Sequence, residues 1–137
     1  MRTMIRAARK AALYALAALA ACASLGAWAQ AWPARPVKII VGYPAGGASD
    51  VAARIVAQKL AERLGQAFVV ENRPGSAGNL GAEAAIKSPA DGYTLLLGTI
   101  SLSVNPSLYP KMTYDPLKDL AAISMISSTP FLLVVNP

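Results

Sequence analysis

The feature that most constrains this chain is a recurring order: a short aliphatic run, a glycine-bearing loop, then residues spaced as a helix. The runs are Val37–Val41 (VKIIV), residues 67–71 (AFVVE) and residues 93–98 (YTLLLG). Each is short for a helix and suited to a strand buried in a sheet. After the first, Ala52, Val56, Leu60 and Leu64 recur every four residues while Arg54, Gln58 and Glu62 fall elsewhere, which predicts an amphipathic helix over residues 51–64. Asp50 stands at its start and Lys59 and Arg63 near its end, as the helix dipole prefers, and Gly65 is placed to stop it in a left-handed conformation. A shorter Ala-rich helix is expected over residues 80–87, after the loop 72–79, with residues 88–92 as a turn. Strands alternating with helices imply a parallel α/β sheet. Residues 101–119 carry Pro106, Pro110 and Pro116 and read as loops with one short helical turn, followed by β-rich runs at residues 123–127 and 131–135.

The first 29 residues stand apart from this pattern. Arg2, Arg6, Arg9 and Lys10 precede an uncharged Ala/Leu run that ends in small residues, with Ala27, Trp28 and Ala29 forming an AxA site. These are the three parts of a secretory signal peptide, so residues 1–29 carry processing information and residues 30–137 the fold. The same run is only marginally long enough to span a membrane and is rich in small residues, which weighs against a spanning helix. Two processing routes fit. Leu19, Ala20, Ala21 and Cys22 spell LAAC, which resembles a lipobox and would leave a lipid anchor on Cys22. The site after Ala29 has a longer apolar region, and Ala29, Gln30 and Ala31 offer a second overlapping AxA, which favours soluble export. Without the signal, nine basic residues face seven acidic ones, a net +2, and the bases are scattered. That excludes a phosphate-tracking surface and nucleic acid as a partner. The lone cysteine lies in the signal and histidine is absent, so neither a disulfide framework nor a metal-ligand cluster is expected.

The candidate chemistry lies in loops that follow strands and open helices, where open α/β sheets bind ligands. In residues 42–50 (GYPAGGASD), Gly46 and Gly47 permit a sharp turn and close backbone approach, and the first amides of the next helix point into the same space. That suits an anion, although a tight turn alone would need the same glycines. The pattern is GxxxGG, neither the dinucleotide GxGxxG nor a P-loop. Asp50 would repel an anion if it faced the site and is read as a residue of the helix start. In the second loop (NRPGSAGN), Gly75 and Gly78 make the turn, and Ser76 and Asn79 offer side-chain donors. Arg73 there is read as a surface group. Thr99, Ser101 and Ser103 bring hydroxyls to the same sheet edge.

The segments VKIIVGYPAGGASDVAARIVAQKL, VVENRPGSAGNLGAEAAIKSPADGYTLLLGT and NPSLYPKMTYDPLKDLAAIS together resemble the substrate-binding component of tripartite tricarboxylate transporters, the Bug-type receptors. The resemblance covers nearly all of residues 33–137. It implies a type II periplasmic-binding fold with two α/β lobes closing on a carboxylate, of which only the opening part of lobe one is present. It further implies a receptor and not an enzyme, with no cofactor, with membrane transporter subunits as partners, and monomeric when full length. On the aligned motifs, Tyr43, Ala45, Gly46, Gly47, Ala48 and Ser49 become the first carboxylate-holding loop. Ser76, Ala77, Gly78 and Asn79 line the cleft at the second, and Thr99 and Ser101 at the third. Ala48 stands where many relatives carry a third glycine, which leaves Gly46 and Gly47 in place.

Two other functions remain open on these residues. A receptor that feeds a sensor would carry the same loops. A nucleotide-binding α/β enzyme would use Glu71 at the end of the second strand to hold a ribose, but the glycine spacing is wrong for it and the signal sends the chain where nucleotide cofactors are scarce. Mass spectrometry of the mature N-terminus is expected to find cleavage after Ala29 or Ala31; a diacylglyceryl-modified Cys22 would reverse that expectation.

Overall fold

A computed structural model describes residues 31–129. The expected signal segment, the LAAC sequence at Cys22 and the β-rich run at 131–135 lie outside the described residues. The chain divides into a leading unit that ends at Ala34 and a second that begins at Arg35. The second holds β1 (Val37–Val41), α1 (Ala48–Leu64), β2 (Phe68–Asn72), a 3-10 turn (Ser76–Gly78), α2 (Asn79–Ile86), β3 (Thr94–Leu97) and α3 (Ser101–Leu108). The strands form one parallel sheet in the order β2-β1-β3, with Ile39 opposite both Val70 and Leu95.

The most apolar run takes the centre because only there are both faces of a strand covered. Val37, Ile39, Ile40 and Val41 are all buried. Val37, Ile39 and Val41 join Phe68 and the α1 residues Ala53 and Ala57 in one core cluster. Side chains alternate along a strand, so Ile40 points to the other face, where α2 packs on β1 and β3 and buries Ala82.

α1 begins at Ala48, three residues before the expected start, and its buried line is Asp50, Ala53 and Ala57. The predicted stripe of Ala52, Val56, Leu60 and Leu64 is therefore displaced: Leu60 is half-buried, Leu64 lies at the surface, and Val51 and Ile55 are exposed. Small alanines let the helix axis approach the sheet closely, and the inward turn of Asp50 sets which face that is. Gly65 ends the helix at φ 70°, with its amide on the Ala61 carbonyl, as its position predicted.

In residues 101–119 loops with one short helical turn were expected, and an eight-residue helix, α3, stands at their start. Pro106 forfeits one helical hydrogen bond, yet the neighbouring Asn105 is buried and anchors the helix through its side chain. Residues 123–127 form no strand; Ile123 and Met125 are exposed and, among the described residues, no strand pairs with them.

The end of β1 meets α2 backbone to backbone. A Cβ on Gly42 would lie 2.8 Å from the Gly78 Cα, and one on Gly81 would lie 2.7 Å from the Gly42 Cα. Glycine inside a helix costs roughly 1 kcal/mol against alanine, and here close packing is the reason for it. Gly81→Ala is expected to destabilise the purified protein by about 1–3 kcal/mol through overpacking, despite its gain in helix propensity, as measured by urea denaturation.

Candidate functional site at the carboxyl edge of the sheet

Because the three strands are parallel, the loops that leave them gather at one edge. In the first, Gly46 adopts φ +85°, and Gly47 is the extended cap residue from which α1 starts, its carbonyl accepting the Val51 amide at 3.0 Å. The first amides of a helix have no partner within it. Among the described residues no acceptor is bonded to the amides of Gly47, Ala48 or Ser49, and Ala45, Gly46, Gly47 and Ala48 are exposed.

Asp50 lies in the first turn of α1, with its carboxylate buried. Its Oδ2 accepts the Gly46 amide and Arg54 Nε, both at 2.9 Å, and its Oδ1 accepts Asn72 Nδ2 at 3.0 Å. The same Asn72 amide donates to the Tyr43 carbonyl at 3.0 Å, and Arg54 Nη2 donates to Asn72 Oδ1 at 3.3 Å. Asp50, Arg54 and Asn72 thus close a ring that ties both sides of the loop to the end of β2. The Arg54 guanidinium first, then the Gly46 and Asn72 donors, hold the Asp50 carboxyl far below the usual carboxylate range.

The second loop passes through four consecutive residues of positive φ: Gly75, Ser76, Ala77 and Gly78. For Ser76 (48°) and Ala77 (53°) this is a strained conformation costing about 1–3 kcal/mol each, so other contacts must impose it. They come from below. Asn105 Nδ2 donates to the Ala77 carbonyl at 3.2 Å and to Asn79 Oδ1 at 2.7 Å, and Tyr114 Oη donates to Asn79 Oδ1 at 2.8 Å. The Asn79 carbonyl is thereby engaged in a buried polar knot, while Ser76 and Ala77 are exposed above it. Burial, and then the charge of Glu83, raise the Tyr114 hydroxyl above its ordinary pKa.

The third loop brings Thr99 and Ser101 to the first. The Tyr43 hydroxyl lies 3.0 Å from Thr99 Oγ1 and donates to Ser101 Oγ at 3.0 Å, and Thr99 Oγ1 and Ser101 Oγ are 2.8 Å apart. This hydroxyl triangle lines a small crevice with Gly42, Gly78 and Leu97. Arg73 is directed elsewhere: it is exposed and pairs with Glu71, which also pairs with Lys38. The residues that the loops alone did not disclose are Gly42, Arg54, Asn72, Gly81, Asn105 and Tyr114. Glycine within a helical pattern was the one available signal, for Gly81.

The same architecture occurs in solved proteins. The periplasmic binding protein BugD superposes with a TM-score of 0.62 at 38% identity, over 64% of this chain and 29% of that one. An R. palustris protein solved with adipate gives 0.61 at 44% identity, over 63% of this chain and 29% of that one. BugT of Bordetella pertussis is 49% identical over 111 residues, 80% of this chain and 34% of that protein. The chain spans about a third of the length of the curated relatives it matches. A parallel sheet with these loops at one edge is, on that footing, part of a periplasmic-binding-protein fold. More narrowly, residues 52–137 match the tripartite tricarboxylate transporter family receptor, TctC, and the chain belongs to that family of solute-binding receptors.

A carboxyl depressed in the folded state contributes stability that is complete above its unfolded pKa, about 3.9, and is lost as pH falls through its folded value. The stability difference between the native protein and Asp50→Asn is therefore expected to be constant above about pH 5 and to shrink only below about pH 4. Denaturation midpoints measured across that range check it.

Proposed function

We propose that the protein is a periplasmic receptor that captures a small carboxylate between two lobes and delivers it to membrane transporter subunits. The observation that carries this reading is the set of amides at Gly47, Ala48 and Ser49, which have no bonded acceptor among the described residues and stand at the exposed or half-buried start of α1, in a loop without lysine or arginine. With no histidine in the chain, the amides and the helix terminus are that loop's positive ends. Tyr43 and Ala45 shape the loop, Ser76, Ala77 and Gly78 form the second wall with Asn79 buried behind it, and Thr99 and Ser101 supply hydroxyls from the third loop. The expected signal sequence and the family support a periplasmic location, and soluble export is preferred to a lipid anchor at Cys22.

The energies suit two lobes acting together. A helix terminus contributes roughly 0.3–1 kcal/mol to binding an anion, up to about 2 when partly buried, and each charge-assisted hydrogen bond about 1.5–3. Micromolar affinity needs about 8 kcal/mol after the entropic cost of association. Contacts from this loop and a matching set from the second lobe reach that figure, whereas one lobe alone falls short. The R. palustris protein solved with adipate makes a dicarboxylate the natural first candidate. The nucleotide-enzyme alternative loses support, because Glu71 is engaged by Lys38 and Arg73. A receptor serving a sensor is separated from a transport receptor by assay with the membrane partner.

Gly47 has φ −77° and ψ 169°, with only the Pro44 carbonyl, at 3.6 Å, near the place of a Cβ. Gly47→Val therefore preserves the backbone while filling the space before the amides. In the whole receptor, calorimetric titration with adipate is expected to show at least about a tenfold loss for Gly47→Val, a cost of about 1.4 kcal/mol, and little change for Arg73→Ala. Unchanged binding in a folded Gly47→Val protein, with loss in Arg73→Ala, would move the anion site to another loop.

A further inference from the structure

We propose that Asp50 and Arg54 form a charge-balanced positioning pair for carboxylate capture: Asp50 shapes the first loop from within, and Arg54 cancels the negative charge that would repel an anion from that loop. The inference rests on the carboxylate reading above and assigns neither residue to contact with the ligand.

The geometry requires a carboxylate at position 50. Two donors that belong to the scaffold, the Gly46 amide on Oδ2 and the Asn72 amide on Oδ1, converge on the two oxygens of one buried side chain. A carboxylate is acceptor-only on both sides, whereas asparagine would turn an NH2 toward one of these donors. The Gly46 amide is thus taken by Asp50, and among the described residues the amides of Gly47, Ala48 and Ser49 have no bonded acceptor. This division of the loop brings a buried negative charge next to amides read as an anion site, an electrostatic conflict if it stood alone.

Arg54 resolves the conflict one helical turn later. Its Nε meets Asp50 Oδ2 at 2.9 Å while half of its side chain remains in solvent. Among the described residues, Arg54 is the cation paired with Asp50. The other groups bonded to Asp50 are the neutral Gly46 amide and Asn72. Glu71 precedes Asn72 on β2 and so projects to the opposite face of the strand, where Lys38 and Arg73 neutralise it.

The test separates charge from scaffolding. Adipate, malate and citrate are titrated calorimetrically into the whole receptor between pH 5 and 8, at low and high salt, with Arg54→Gln, Arg54→Lys and Asp50→Asn/Arg54→Gln compared with the native protein under each condition. Taking ratios cancels the titration of the acids themselves, and circular dichroism checks folding. Arg54→Gln, which keeps a donor but removes the charge, is expected to raise Kd about tenfold near pH 7.5. Its deficit should be constant from pH 5 to 8, because the Gly46 and Asn72 donors still keep the Asp50 carboxyl ionised across that range, and it should shrink at high salt, which screens the uncancelled charge. Arg54→Lys should stay within about threefold of native at every pH, and the double variant, which carries neither charge, should show a ratio to native that salt does not change. A deficit in Arg54→Gln that is absent, or unchanged by salt and not rescued by lysine, would overturn the inference and leave the carboxylate reading standing. A folded native receptor that takes up none of the three acids would overturn the carboxylate reading and this inference with it.

Discussion

The arrangement of this edge depends on a contact made of backbone alone. Gly42, at the end of the central strand, lies against Gly78 and Gly81 at distances that leave no room for a Cβ on Gly42 or Gly81. Close packing of this kind is unforgiving, because the neighbouring atoms belong to a strand and a helix and cannot rotate away. It brings the second loop onto the first and seats Gly78 beside the Tyr43 and Ser101 hydroxyls. The three loops thus form one wall instead of three separate turns.

Two polar clusters then fix what the glycines bring together. The ring of Asp50, Arg54 and Asn72 holds the first loop from the α1 side, and the knot of Asn79, Asn105 and Tyr114 holds the second from below. Among the described residues neither leaves a buried side-chain nitrogen or oxygen without a partner, the condition under which polar groups rigidify a structure without the cost of stranded donors. The strained Ser76 and Ala77 are sustained by the second cluster, which ties down the Ala77 carbonyl directly. A loop prepared in this way needs little reordering to receive a ligand, and that lowers the entropic cost of binding.

Much of the scaffold was legible in the sequence. VKIIV, AFVVE and YTLLLG correspond to three paired strands within a residue or two at each end, and Gly65 stops α1 as expected. The readings that needed correction share a cause. The apolar stripe of α1 was read from hydropathy, but the helix presents Ala53 and Ala57 because alanines permit the closest approach to the sheet. Prolines argued for no more than one short helical turn within residues 101–119, yet Asn105 anchors an eight-residue helix at 101–108 through contacts with residues 26 and 28 positions away. The β-rich run at 123–127 had the composition of a strand and no partner strand among the described residues.

The same division runs through the candidate site. The sequence by itself determined the strand-loop-helix order, the glycines that let the loops turn, and the absence of histidine and of any cation in the first loop, since these follow from residue types and short-range spacing. Only the tertiary structure decided that Asp50 faces inward on Arg54 and Asn72, that the Asn79 carbonyl is occupied by Asn105 and Tyr114, and that Tyr43, Thr99 and Ser101 share one hydroxyl triangle. The reason is that a hydrogen bond has direction and requires its partner in place. Residues 22 to 58 positions apart become partners only when a parallel sheet brings the ends of its strands to one edge.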